Sequence, residues 1–110
     1  MTYATFDDNF ADHPKVAGLS DPAFRLHVAG ICYAARHLTD GVLPADEVPR
    51  LVRRFKRTAV TELVKAGMWC DANGDGTYRI HDYLDWNLSR EQVLERRERA
   101  RKNARKRWDG

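Results

Sequence analysis

Arg53, Arg54, Lys56 and Arg57 place four cations within five residues, and no carboxylate falls inside the run to neutralise them. Such a cluster repels itself, and a phosphate backbone relieves that repulsion while releasing its own counterions. The competing partner is internal: Asp7, Asp8 and Asp12 could pair with the run across the fold. Phosphate is the better match. A second cationic block closes the chain, with Arg99, Arg101, Lys102, Arg105, Lys106 and Arg107 and no acid between Glu98 and Asp109. Trp108 within it is suited to stack or wedge. The net charge of +3 hides this asymmetry: residues 1–89 balance at −2, and residues 90–110 at +5. A basic block of this kind marks a polyanion partner.

Three other constellations invite different chemistry. Asp71, Asn73, Asp75 and Gly76, with Asp82 at the twelfth position, follow the ligand spacing of a helix-flanked calcium loop. Here the preceding helical pattern stops too early, at Gly67, and Tyr78-Arg79-Ile80 alternates as a strand. Position twelve is also Asp, where the longer Glu is the bidentate ligand. A polar hairpin turn explains the same residues. Four histidines (His13, His27, His37 and His81) and two cysteines show none of the pair spacings of a zinc site. His81-Asp82 has the composition of an acid–base dyad, but no nucleophile, glycine-rich phosphate loop or paired-carboxylate pocket accompanies it. The expectation is no catalytic residue, no metal and no cofactor, with His81 closing the sheet onto the final helix.

The elements that would position the cations follow from periodicity. Residues 1–18 read as irregular, with Phe6, Phe10 and Val16 as anchors. Ser20 and Pro22 suit a helix start, and apolar residues at 24, 28, 31, 32, 35 and 38 predict a helix over 20–37. Thr39-Asp40-Gly41 is a turn, and Val42-Leu43 a short strand ended by Pro44. Asp46 is expected to cap a second helix over 46–54, in which Val48, Leu51, Val52 and Phe55 share a face. A third helix over 58–66 stops at Gly67. Residues 69–71 then pair antiparallel with 77–80, around the turn-rich Asn73–Gly76. Ser89-Arg90-Glu91-Gln92 is a capping box opening a last helix, whose apolar stripe is so thin that its far end should fray. The expected core includes Phe24, Val28, Ile31, Leu51, Phe55, Leu63, Val64 and Ile80. Cys32 and Cys70 are expected as free, buried thiols.

This order describes a mainly α fold with a small β-sheet, of winged helix-turn-helix type, over residues 1–88, plus a basic helix or tail over 89–110. In helix-turn-helix readers the second helix of the motif enters the major groove and its neighbours touch phosphate. With Val60, Leu63 and Val64 inward, Thr58, Thr61, Glu62 and Lys65 face out. Thr can touch phosphate or a thymine methyl, and Glu can accept from cytosine. Arg57 at the helix start reaches phosphate or guanine, and Arg79 on the hairpin joins the expected contact set. An ordinary solvated helix face is the competing explanation, and Glu62 favours it.

The runs HLTDGVLPADEV, ELVKAGMW and YRIHDYLDWNLSREQVLERRERARKNARKRW resemble small winged-helix proteins of actinobacterial phages and prophages. These in turn are similar to the N-terminal domains of phage replisome organisers and DnaD-type primosome proteins. The resemblance covers residues from about 6 to 100, with IHDYLDWN its most distinctive part. It implies a winged helix and a DNA-linked role, in replication initiation or transcription regulation, and it brings no catalytic residues. Replisome organisers continue into a second domain where this chain has its basic helix, so recruiting a helicase loader is not among the expectations taken from the resemblance.

Size and composition agree with one small folded unit. At 110 residues, 43% apolar and 32% charged, the chain can build a modest core but not a substrate-enclosing two-domain enzyme. The acidic N-terminus lacks the apolar stretch of a signal peptide, and no run suits a membrane span. The expected location is therefore the cytoplasm, that of a host cell if the chain is phage-encoded. Double-stranded DNA is the expected partner. A protein-interaction module that binds a host or replisome protein is the alternative, and a homodimer through the C-terminal helix stays open.

Overall fold

In the computed structural model, residues 3–109 are described, apart from the side chains of Trp86, Trp108 and Asp109. A short 3-10 turn at Phe10–Asp12 and helix α1 (Pro14–Ala17) lead into the long α2 (Asp21–His37). Strand β1 (Val42–Leu43), a 3-10 turn at Val48–Arg50 and α3 (Arg57–Lys65) come next. The hairpin β2 (Trp69–Asp71) and β3 (Tyr78–Ile80) follows, then α4 (Tyr83–Trp86) and α5 (Arg90–Asp109). The fold is thus mixed α/β, dominated by helix, with one three-stranded antiparallel sheet.

Helix α2 starts as its residues dictate. Ser20 Oγ accepts from the Ala23 N–H at 3.4 Å, and Pro22 occupies the first turn. Its buried stripe runs through Ala23, Leu26, His27, Gly30, Ile31, Ala34 and Ala35. That stripe is rotated from the expected one, so Phe24 and Val28 are only half-buried and Cys32 is exposed. The reason is Trp69. Its indole lies so close to Gly30 that a Cβ there would sit 3.0 Å from Trp69 Cζ2 and 3.2 Å from Leu43 Cδ1. The helix turns Gly30 toward the ring, and His27 Nδ1 accepts the indole N–H. Trp69, Leu26, Leu43, Leu63, Val48 and Val60 form the fully buried centre.

The sheet runs in the order β1-β3-β2. Trp69 pairs with Ile80, Cys70 with Arg79 and Asp71 with Tyr78, while β1 adds Val42 opposite Arg79 and Leu43 opposite Tyr78. Alternation sends Trp69, Ile80 and Leu43 inward and leaves Cys70 and Arg79 exposed on the other face. Both cysteines are therefore free but exposed, correcting the expectation that they are buried.

The expected helix over 46–54 is not there. Only Val48–Arg50 turns, as a 3-10 helix with no side-chain cap, and Asp46 caps nothing. Pro49 has no N–H to donate, and it disfavours the helical region for Val48. Beyond it, Arg50, Arg53, Arg54 and Arg57 are like charges at three- and four-residue spacing, which weakens any helix across them. Leu51 and Phe55 are consequently half-buried rather than buried.

Helix α3 ends as Gly67 predicts. With φ at +76°, Gly67 donates to Val64 O at 3.0 Å and Met68 donates to Leu63 O at 3.0 Å, the paired bonds of a Schellman stop. The hairpin tip closes on its own acids: Asp71 Oδ1 accepts from the Gly74 N–H at 2.8 Å and Asp75 Oδ1 from the Thr77 N–H at 3.0 Å. His81 is exposed and pairs with Asp82 at 3.2 Å, so it does not close the sheet onto a helix. The N-terminal segment is tied down far from its own sequence, where the Thr5 N–H donates to Asn87 Oδ1 at 2.7 Å.

Candidate nucleic-acid interface

Helix α3 buries Ala59, Val60 and Leu63 against α2 and β2. At 100° per residue the opposite face centres on Thr61 and Lys65, flanked by Arg57 and Thr58. All four are exposed. The Arg57 guanidinium lies 5.0 Å above the Phe55 ring, a contact that steadies it at the start of the helix. Thr61 Oγ1 donates back to Arg57 O at 3.4 Å, leaving its methyl and lone pairs free.

Two residues of this helix depart from the expected pattern. Val64 is 38% exposed, not core, because the buried face centres on Ala59 and Leu63. It falls beside Arg57 and Thr61 on the helical wheel and adds an apolar contact to the outward face. The signal was present in the sequence: Ala59 is small, and counting it as core rotates Val64 outward. Glu62 is not available to a base. Its carboxylate accepts from the Ser20 N–H and from Ser20 Oγ, each at 2.7 Å, and these bonds, the backbone one foremost, hold its pKa below the usual carboxylate range. Its role is to fasten α3 to the start of α2, and it does so as a charged carboxylate.

Arg53, Arg54, Lys56 and Arg57 are exposed, and none makes an ion pair among the described residues, so Asp7, Asp8 and Asp12 do not neutralise them. Arg53 and Arg54 lie in the irregular stretch before α3, and Lys56 is the residue preceding its first turn. Arg79 belongs to the outer face of the sheet, in register with Val42 and Cys70, rather than to α3.

Helix α5 carries the remaining sites. Ser89 and Gln92 make the full capping box, Gln92 N–H to Ser89 Oγ at 3.1 Å and Ser89 N–H to Gln92 Oε1 at 2.9 Å. A third anchor comes from the loop after α2, where Asp40 Oδ1 accepts from the Arg90 N–H at 2.6 Å. A carboxylate at a helix N-terminus also complements its dipole. Asp40 holds a left-handed φ of 55° in doing so, a conformation Asp tolerates better than most residues. No sequence spacing links positions 40 and 90, so this anchor was not legible beforehand.

Beyond Val93, α5 is exposed up to Arg107, and the helix runs to Asp109. Arg101 pairs with Glu98 at 3.6 Å. Arg99, Arg101, Lys102, Arg105, Lys106 and Arg107 spread around the helix instead of forming one stripe. The side chain of Trp108 lies outside the described residues. No helix among the described residues is long and apolar enough to cross a membrane. The chain matches no protein-family model, no curated protein and no solved structure.

Proposed function

We propose that the chain is a non-catalytic winged-helix protein that binds double-stranded DNA, of phage type, acting in replication initiation or transcription regulation. The order helix, strand, turn, helix, hairpin and the strand order β1-β3-β2 support the winged helix, with the second helix reduced to one 3-10 turn. In this reading α3 is the groove helix and β2–β3 the wing. The observation that carries it is the outward face of α3. Arg57, Thr58, Thr61 and Lys65 stand exposed, with Arg53, Arg54 and Lys56 unpaired beside them among the described residues. Cations without internal partners are the residues from which bound phosphate gains most.

Fluorescence anisotropy on duplex fragments, repeated across salt concentrations, tests the proposal. Affinity should fall linearly with salt on logarithmic axes, each neutralised phosphate adding about 0.9 to the slope. A flat salt response would remove DNA as the partner. The second reading, a module that docks a host or replisome protein, rests on the exposed Leu84, Leu88 and Leu94 around the start of α5. A flat response would favour it.

A further inference from the structure

A cavity of about 500 Å³ opens between the N-terminal segment and the core, away from the outward face of α3. Its walls include Ile31 of α2, Met68 and Ile80 around the hairpin, and Phe6 and Phe10 from the segment that crosses above. Phe6 and Phe10 meet edge to face at 5.0 Å, and Phe10 stacks on the imidazole of His27 at 5.8 Å and 18°. The size falls within the range of small-molecule sites, and polar and charged side chains share the lining with the apolar ones.

His27 is the polar group that matters. It lines the cavity and is only 4% exposed. Its Nδ1 accepts the indole N–H of Trp69 at 3.0 Å. An indole nitrogen only donates, so Nδ1 carries no proton and the neutral ring must carry its proton on Nε2. Burial holds the ring neutral, with its pKa pushed down to about 4. The Nε2–H donor has no partner among the described residues. The atom is not among the closed-off polar atoms of the described residues, so this donor is open to the cavity whose wall its side chain forms.

The rim sets the charge of what can enter. Asp7, Asp12 and Asp82 line it, against Lys15 as the permanent cation and His13 and His81. At neutral pH the balance is negative, which disfavours an anion, while the N–H inside disfavours a cationic end group. We propose that this cavity binds a neutral, largely apolar ring compound of one or two rings, through a single acceptor atom placed on His27 Nε2–H. The function would be ligand sensing beside the hairpin, separate from contact with DNA.

The matched probes are 1-indanone, which carries one carbonyl, and indane, the same skeleton without it. Each is titrated into the ¹⁵N-labelled full chain, following the Trp69 indole N–H and the His27 ring nitrogens by NMR. Indanone should give saturable shifts at both groups, and indane should bind at least tenfold more weakly. Ile31→Phe, which fills the cavity, should abolish the indanone shifts. Should that variant fail to fold, the comparison of the two probes on the unaltered chain still decides. Equal affinity for the two compounds, shifts confined to residues away from His27, or no saturation would each overturn the proposal.

Discussion

Helix α3 spans nine residues and buries three of them, whereas α5 spans 20 and, among its described side chains, buries Val93. Both present cations, but α3 is fixed on several sides. Leu63 sits in the core, Glu62 grips Ser20, and Gly67 turns the chain straight into β2. α5 is held at its start by its capping box and by Asp40, with Val93 buried one turn on. On the proposed reading, the difference separates two ways of meeting a polyanion. A helix locked into a core keeps its side chains in one register, as reading bases requires. A helix with cations all round offers charge in any register, which suits phosphate and carries no sequence information.

The comparison breaks most easily at Leu63. Leu63→Ala should cost about 2–5 kcal/mol in urea melts, because a fully buried side chain leaves a cavity. A loss below about 0.5 kcal/mol would mean that α3 is not core-anchored.

Acid should act on the anchored region next. His27 is held neutral down to about pH 4, whereas in the unfolded chain it protonates near 6.5. The unfolded state therefore binds the extra proton between those values. Stability is whole above about pH 6.5 and declines as pH falls toward 4, by roughly 3 kcal/mol. His27→Gln, which retains an acceptor for the Trp69 indole, should flatten that decline. Identical pH profiles for the two proteins would show that His27 is not the group responsible.

On the outward face, Thr61→Ala should change preference among duplex sequences by about 1 kcal/mol. Lys65→Ala should weaken all sequences alike and lower the salt slope by about 1. If the two substitutions proved indistinguishable, α3 would be a charge carrier like α5. The smallest effect on stability belongs to the arm: removing residues 99–110 should move the melting free energy by no more than about 0.5 kcal/mol. The same truncation should flatten the salt slope by several units while the preferred sequence stays the same. An unchanged slope would leave α5 without a part in binding.

Legibility in the sequence followed how local the determining physics is. Ser20, Gly67 and the Ser89–Gln92 box act within one turn of their helices, and all three formed as their residue types dictate. The antiparallel pairing of 69–71 with the strand before His81 also followed, with Thr77 left outside β3. The region 46–54 misled because apolar spacing outvoted Pro49 and the repulsion among its arginines. The faces of α2 and α3 were each misjudged for one shared reason. Ala23, Gly30, Ala34 and Ala59 are buried on these faces, and a pattern weighted by side-chain size passes over small residues. Asp40 on Arg90, Glu62 on Ser20 and Trp69 on His27 span 50, 42 and 42 residues, distances at which spacing says nothing.

The three hydrogen bonds at the start of α5 also make it a measuring rod. A helix of 20 residues extends about 30 Å, and it helps give the molecule a long dimension of 57 Å against 31 and 23 Å. That reach approaches the roughly 34–36 Å of one turn of duplex. Since the rod is clamped at one end, its length sets how far from the domain the distal cations can act. Excising seven residues, about two turns, would draw those cations in by about 10 Å while leaving their facing almost unchanged.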